Sequence, residues 1–159
     1  MLKFNSNGLL IPATIIKSTV QELEQVFVIS PDQKRRADIW RKYIIYSNAL
    51  KDTLSNIALL QWIDGSFVTM KPEPNDIDLV TFISSSAIEA LGSKIDAFKY
   101  PASVELFGVD AYIVKIYNAD DKKHPVYLSD QKYWMHNFDK ARMNRKGQKL
   151  QKGFLEIIY

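Results

Sequence analysis

The stretch GSFVTMKPEPNDIDLVTFI, residues 65–83, constrains the fold of this chain more than any other segment. Its second half, from Ile77 to Ile83, is apolar and rich in β-formers, which predicts a buried strand. Two aspartates, Asp76 and Asp78, stand at the mouth of that strand. Because residues i and i+2 of a strand point to the same face, both carboxylates are directed at one place beside an apolar core. Something at that place must offset their repulsion.

A divalent cation is one partner that would offset the repulsion between these two carboxylates. Carboxylate oxygens are hard ligands, which suit Mg²⁺ or Mn²⁺. The alternative is a pair of strand-end aspartates that simply face water. The D-x-D spacing alone does not decide between the two interpretations, so the residues upstream of it matter.

Gly65 and Ser66 directly follow another predicted strand, Ile57–Asp64 (IALLQWID). Glycine lets the backbone turn tightly and approach a ligand. The residues after it can begin a helical turn whose free N–H groups bind phosphate, and Ser66 adds a hydroxyl donor. Nine residues separate Ser66 from Asp76, which is enough for a short turn and a return to the sheet.

The combination of Gly65-Ser66 with Asp76-Ile77-Asp78-Leu79 resembles the signature of the DNA polymerase β-like nucleotidyltransferase superfamily. The chain also looks like a family of small bacterial proteins of uncharacterised function that share this nucleotidyltransferase core. That second resemblance covers most of the chain. It depends on Arg35 or Arg36 and on the stretches LLIPATIIKSTVQELEQVF, WIDGSFVTMKPEPNDIDLV and KGFLEIIY. Asp64 departs from the superfamily motif, which more often has an apolar residue there. The strand end allows Asp64 to face outward, and we assign it no role.

The resemblance implies a nucleotidyltransferase fold and a set of three metal-binding carboxylates. The third carboxylate is expected on an adjacent strand, and Asp110 in FGVDAYIVKIY is the first candidate. Asp96 is the alternative, although it lies in a helical pattern between two lysines. By the resemblance, Asp76 and Asp78 bridge two Mg²⁺ or Mn²⁺ ions. Asp110 binds the catalytic ion and can accept the proton of the acceptor.

The same resemblance implies that Gly65 and Ser66 hold the β- and γ-phosphates of an NTP, ATP foremost. Lys71 lies in the intervening loop and would add a phosphate contact. The reaction implied is transfer of a nucleoside monophosphate to an unknown acceptor, either a protein or an RNA. Small relatives of the superfamily suggest a toxin–antitoxin or defence context, with a possible partner protein.

Two other functional classes stay open beside this enzyme. One is a catalytically inactive NTP-binding sensor or an antitoxin-like module that binds a protein. The other is an RNA-binding module whose basic faces bind the nucleic acid. The three carboxylates favour the enzyme, because acids on a binding surface repel phosphate unless a metal ion intervenes.

The charge of the chain is uneven, with a net charge of +3. Between Lys132 and Lys152 there are seven Lys and Arg residues against one acid, Asp139. A second basic cluster spans residues 34–42. Such clusters attract phosphates of nucleotides or polynucleotides, and the alternative is that they are solvated surfaces.

The absence of cysteine excludes disulfides and thiolate metal sites and fits a reducing, cytoplasmic setting. The apolar run Leu9–Ile11 is too short for a signal peptide, and no run approaches the roughly 20 residues of a membrane span. We therefore expect a cytoplasmic protein with no membrane partner.

The element pattern predicts one nucleotidyltransferase-like domain over residues 1–159, of the α+β class with some α/β character. It divides into an N-terminal extension with helices (1–55), a catalytic core (56–117) and a C-terminal helix, basic loop and final strand (118–159). A small mixed β-sheet flanked by helices is expected. Helices are predicted over about 19–28, Ser30-Pro31-Asp32 to Leu54, Ala87–Phe98 and Gln131–Arg142, and strands over Ile57–Asp64, Ile77–Ile83, Val104–Phe107, Val109–Tyr117 and the closing GFLEIIY.

Overall fold

The structure, a computed structural model, describes residues 1–28, 33–143 and 146–159. The strands are β1 (Lys3–Phe4), β2 (Leu10–Ile11), β3 (Ile15–Lys17), β4 (Leu60–Asp64), β5 (Asp78–Ser84), β6 (Asp110–Ile116) and β7 (Phe154–Ile158). The α-helices are α1 (Val20–Phe27), α2 (Lys34–Thr53), α3 (Ser85–Leu91), α4 (Ala102–Phe107) and α5 (His124–Phe138), and 3₁₀ helices span Ser66–Val68 and Gly92–Phe98. No helix of the described part is both long enough and apolar enough to cross a membrane.

Five strands form the main sheet in the order β3-β7-β4-β5-β6, while β1 and β2 pair as a separate two-stranded sheet. The central strand β4 is antiparallel to both β7 and β5. The two edge pairs, β3 with β7 and β5 with β6, are parallel. The predicted small mixed sheet flanked by helices, of the α+β class, is therefore confirmed.

The two faces of the sheet are covered differently. Leu79 and Ile83 of β5 point to the larger core, which contains apolar residues of α1, α2 and α3. Val80 and Phe82 alternate with them and point to a smaller aromatic cluster completed by Phe138 of α5. This period-2 alternation places Asp78 on the same face as Val80, the face that α5 covers.

The N-terminal helices begin as their sequence predicts, as far as the structure describes them. Thr19 caps α1, since its hydroxyl accepts a hydrogen bond from the Glu22 N–H at 3.0 Å. The proposed start of α2 at Ser30-Pro31-Asp32 lies outside the described residues, as does Arg145 of the basic cluster. The end of α2 near Leu54 is confirmed, because the helix ends at Thr53.

The prediction of a strand over Val104–Phe107 is wrong, because these residues belong to α4. A four-residue segment with three apolar residues fits a short helix as well as a strand, and here the helix leaves Val104 and Leu106 exposed. Gly108 ends it in the left-handed conformation, with φ of 70°. Gly92 likewise ends α3 instead of continuing it, and 3₁₀ helix follows to Phe98.

The last helix begins earlier than predicted, at His124 and not at Gln131. Pro125 occupies its first turn, where a missing N–H costs no hydrogen bond. The helix also ends at Phe138, so Arg142 belongs to the segment after it. Because α5 starts and ends earlier than predicted, its last turn lies beside the end of β5 that carries Asp78.

Two adjacent arginines at the start of α2 hold the loop between Ser66 and Asp76. The buried Arg36 guanidinium donates to the carbonyl oxygens of Phe67 (2.7 Å), Thr69 (2.6 Å) and Lys71 (2.6 Å). Its guanidinium carbon also lies 5.5 Å from the centre of the Phe67 ring. Arg35 donates to the carbonyl oxygens of Pro74 and Asn75. The loop is thus fixed by side chains from another element.

Arg36→Met is expected to lower the free energy of unfolding by about 3–5 kcal/mol, since three carbonyl groups lose a charged donor and cannot all reach water. Urea denaturation monitored by circular dichroism measures the change. Arg41→Met is the matched control, because Arg41 is exposed and forms a surface ion pair with Asp38 three residues away, and its loss should cost under about 1 kcal/mol. Equal effects of the two substitutions would contradict this account of Arg36.

Candidate functional site

Three aspartates stand side by side on neighbouring strands of the main sheet. The Cα atoms of Asp64 in β4 and Asp78 in β5 are direct partners, and so are those of Asp78 and Asp110 in β6. Directly paired residues point to the same side of a sheet. The strands therefore present a row of three carboxylates on the face covered by α5, with Asp76 two residues upstream of the central one.

Gly65 allows the chain to turn sharply between β4 and the loop. Its φ is 86°, a region that suits glycine, and a Cβ atom there would lie 2.9 Å from the Asp78 backbone nitrogen and 3.0 Å from the Asp76 carbonyl oxygen. The predicted helical turn after it is present as the 3₁₀ helix Ser66–Val68. Close packing of two backbone segments is the reason for glycine at this position.

Ser66 holds the Asp76 carboxylate. Its backbone N–H donates to Asp76 Oδ1 at 3.0 Å, and its hydroxyl donates to the same oxygen at 2.8 Å. The hydroxyl also accepts from the Asn75 N–H at 2.7 Å. In this arrangement the donors predicted to bind phosphate bind a carboxylate of the same site.

Burial and mutual repulsion perturb the carboxyl groups. Burial, followed by the charges of Asp76, Asp64 and Asp110, raises the pKa of Asp78 to about 7. Burial also raises the pKa of Asp110, and its hydrogen bond with Tyr112 opposes that shift. A carboxyl group whose ionised form is destabilised in this way gains from any cation that reaches it.

Asp64 does not face outward, so the expectation for its side chain was wrong. It is buried and forms an ion pair with Lys152, which is equally buried. Burial raises the pKa of Asp64 to about 6, and the Lys152 charge opposes the shift. The lysine comes from the basic segment after α5, 88 residues away in sequence. One of the three carboxylates in the row is therefore neutralised by the protein itself.

A cavity of about 790 Å³ opens above the carboxylates. Its lining combines the acidic groups with basic residues of the C-terminal segment and with aromatic side chains, among them Tyr112 and Trp134, whose ring centres are 4.4 Å apart. A volume of 300–1,000 Å³ is typical of small-molecule sites. The basic members of the lining are Lys71, Lys140, Arg142, Lys149 and Lys152.

Comparison of the sequence with known families gives one match, which spans residues 2–158. The chain belongs to the family of unknown function DUF6932. No curated protein and no solved structure matches it. The function of this DUF6932 member must therefore be argued from its own residues.

All six residues proposed for the site from the sequence line this one cavity: Gly65, Ser66, Lys71, Asp76, Asp78 and Asp110. Asp96, the alternative third carboxylate, is exposed in the 3₁₀ helix and pairs with Lys99. The sequence reasoning missed Lys152 and Tyr112. The unusual acid at position 64 was the one signal of a hidden partner, since a strand-end aspartate beside a buried core needs a counter-charge.

The carboxylate oxygens of the site are chemically suited to a divalent cation. Their arrangement in the structure, however, does not form a ready-made cation site. Asp110 Oδ1 is buried and has no hydrogen-bond partner among the residues that the structure describes, so a carboxylate oxygen in the row lacks a counterpart there. In the described part of this DUF6932 chain, no three His, Cys, Asp or Glu side chains are grouped so that they could hold a metal ion. Binding one would require the aspartate side chains to rotate toward it.

Proposed function

We propose that this protein is a metal-dependent nucleotidyltransferase that transfers a nucleoside monophosphate from an NTP to an acceptor. The observation that supports the proposal most is the register that pairs Asp78 with Asp110 on adjacent parallel strands, with Asp76 beside them. Together with the Gly65-Ser66 turn, this is the arrangement that the sequence resemblance implies. The finer assignment of the fold as a nucleotidyltransferase fold belongs to the same proposal.

Asp76, Asp78 and Asp110 are the residues that would hold two Mg²⁺ or Mn²⁺ ions. Such ions, when bound, neutralise the charge on the attacking and leaving oxygens of an in-line displacement. The acceptor oxygen forms a bond to the α-phosphorus, the α–β phosphoanhydride bond breaks, and pyrophosphate leaves. Asp110 is placed to take the acceptor proton, since its Oδ1 has no hydrogen-bond partner within residues 1–28, 33–143 and 146–159.

The remaining site residues would position the NTP. Gly65 allows the backbone to approach the phosphates, and Ser66 and Lys71 line the same cavity. Because Ser66 is bonded to Asp76, its N–H and hydroxyl become free for phosphate only when Asp76 turns toward a cation. ATP is the NTP we expect first, and the acceptor is a protein or an RNA of the cytoplasm, where a toxin–antitoxin or defence role would be exercised.

Label transfer from α-³²P-NTPs in the presence of Mg²⁺ or Mn²⁺ to total cell protein and RNA tests this proposal. We expect transfer by the native protein, and a loss of about 10³-fold or more in Asp76→Ala and Asp110→Asn, since each removes a carboxylate of the set. Asp96→Asn is the matched control, because Asp96 is exposed outside the cavity, and it should transfer normally. Transfer that survives Asp76→Ala would contradict the proposal.

The hydrogen bonds between Ser66 and Asp76 favour a second candidate, an inactive NTP-binding sensor. In that case the Asp76 carboxylate stays on Ser66 and does not join Asp78 and Asp110 in holding the reacting ions. Calorimetry separates the two functions: NTP binding without label transfer to any acceptor supports the sensor. Binding of RNA that survives Asp76→Ala and Asp78→Ala would instead support an RNA-binding module.

A further inference from the structure

Three basic side chains of the segment after α5 line the cavity together with the carboxylates. We call Lys140, Arg142 and Lys149 the basic wall. Arg142 and Lys149 are exposed, and neither has an ion-pair partner among the residues that the structure describes. Cations concentrated at a concave surface attract an anionic ligand more strongly than the same cations on an open surface.

The backbone around the basic wall is held in a short ladder. Lys140 and Gln151 form an isolated antiparallel bridge, and the Ala141 N–H donates to the Leu150 carbonyl oxygen at 2.7 Å. The Lys152 N–H donates to the Asp139 carbonyl oxygen at 2.9 Å. These bonds tie the two sides of the segment to each other.

The buried ion pair of Lys152 with Asp64 joins this ladder to the row of carboxylates. Desolvation offsets much of the attraction in such a pair, so it adds little to overall stability. What it provides is one defined arrangement, because any other position of Lys152 leaves a buried charge without a partner. The pair thus sets where the basic wall stands relative to β4.

We infer that the basic wall binds the polyphosphate chain of the ligand and that Asp64 is a positioning residue that anchors the wall through Lys152. In this arrangement Asp64 is not a metal ligand, since its charge is already neutralised by the lysine. The inference rests on the proposed function only for the identity of the ligand as an NTP.

Two observations favour a nucleotide polyphosphate over an RNA backbone as the occupant. The wall shares a cavity of about 790 Å³ with the carboxylates, which is the size of a small-molecule site. The other predicted phosphate donors, on Ser66, are bonded to Asp76, whereas Arg142 and Lys149 of the wall have no ion-pair partner among the described residues. A chain of several phosphates matches several cations spread along one surface.

Calorimetry with inorganic tripolyphosphate in the presence of EDTA tests the wall without any metal or transfer reaction. We expect the native protein to bind tripolyphosphate. In the triple variant Lys140→Gln/Arg142→Gln/Lys149→Gln the affinity at low salt should be roughly 100-fold weaker, because three charges are removed from the surface. Lys94→Gln/Lys122→Gln/Lys132→Gln is the matched control. It removes the same charge from exposed residues outside the cavity and should bind within about threefold of the native protein.

Asp64→Asn separates anchoring from simple electrostatics by the sign of its effect. Removing a negative charge from the cavity would by itself strengthen tripolyphosphate binding. Loss of the anchor predicts the opposite, a weakening of roughly tenfold, together with faster tryptic cleavage of the chain between α5 and β7. Lys152→Arg keeps the charge and a donor for Asp64, so it should bind within about threefold of the native protein.

Each outcome decides the inference. No tripolyphosphate binding by the native protein, or equal losses in the two triple variants, overturns the basic wall. Binding of a single-stranded RNA oligonucleotide but not of tripolyphosphate overturns the choice of ligand. Tighter or unchanged binding by Asp64→Asn overturns the anchoring role. Because all of these measurements are made in EDTA, a protein that binds tripolyphosphate through the wall yet transfers no label refutes only the proposed function.

Discussion

Asp78→Asn is expected to raise the melting temperature at pH 8 while it lowers nucleotidyl transfer by about 10³-fold or more. The two effects have one cause, the position of Asp78 in the middle of the row of carboxylates. Burial first, and then the charges of Asp76, Asp64 and Asp110, make its ionised form costly and raise its pKa to about 7. A neutral amide of the same shape removes that cost and also removes the central anionic ligand.

The pH dependence of this gain follows from the direction of the shift. The pKa of Asp78 is near 3.8 in the unfolded chain, and burial together with the neighbouring carboxylates raises it to about 7 in the folded protein. Between these values the folded protein retains a proton that the unfolded chain has lost, so its stability falls as the pH rises from 4 to 7. The advantage of Asp78→Asn should be absent at pH 4 and reach a few kcal/mol at pH 8, on the order expected for such a shift.

Thermal unfolding with and without Mg²⁺ completes this test. At pH 8 Mg²⁺ should raise the melting temperature of the native protein and of Asp96→Asn, because a ligand that binds only the folded state stabilises it. Asp78→Asn should lose most of that response. If Asp78→Asn is less stable than the native protein at pH 8, the Asp78 carboxylate is stabilised in the folded state. That result would contradict the repulsion among the paired aspartates of the row.

The region around Asp78 could be predicted from the sequence because its signals are local. Alternation along β5 fixes which residues face the core, and a strand followed directly by Gly65 requires a sharp turn. Both features depend on residues within a few positions of each other. Asp110 was proposed differently, from the resemblance, which implies a third carboxylate on an adjacent strand within an apolar run such as FGVDAYIVKIY.

The ion pair of Asp64 with Lys152 could not be predicted, because its partners are far apart in the chain. Lys152 was one of several cations in a basic stretch, and nothing local distinguished it from its neighbours. Its burial arises only because β7 inserts between β3 and β4 and brings residue 152 to the sheet. The sequence predicted a basic surface, and the topology decides which of its members enters the site.

The error over Val104–Phe107 has a different origin. The segment is short enough that its apolar pattern fits about one turn of helix as well as a strand. The deciding feature is Gly108, which lies between the two segments predicted as strands. It ends α4 in the left-handed conformation and lets β6 begin two residues later, at Asp110.

Gly65→Ala is expected to lower the free energy of unfolding by about 3–5 kcal/mol and transfer by about 10²-fold. The new Cβ would lie 2.9 Å from the Asp78 backbone nitrogen and 3.2 Å from Asp76 Oδ1. Backbone atoms cannot move aside as a flexible side chain can, so the start of β5 must shift and carry both carboxylates with it. The φ of 86° adds a further strain of about 1–3 kcal/mol for any residue with a Cβ.

Gly92→Ala measures the cost of backbone strain without the steric clash that a Cβ atom causes at Gly65. Gly92 also has a positive φ, of 58°, but a Cβ there meets no atom within 4 Å. It should therefore cost only the strain, about 1–2 kcal/mol, and leave transfer unchanged. Urea denaturation and the label-transfer assay on the two variants measure the difference. If Gly65→Ala costs no more than Gly92→Ala in both assays, the close approach of Gly65 to the Asp78 backbone does not shape the site.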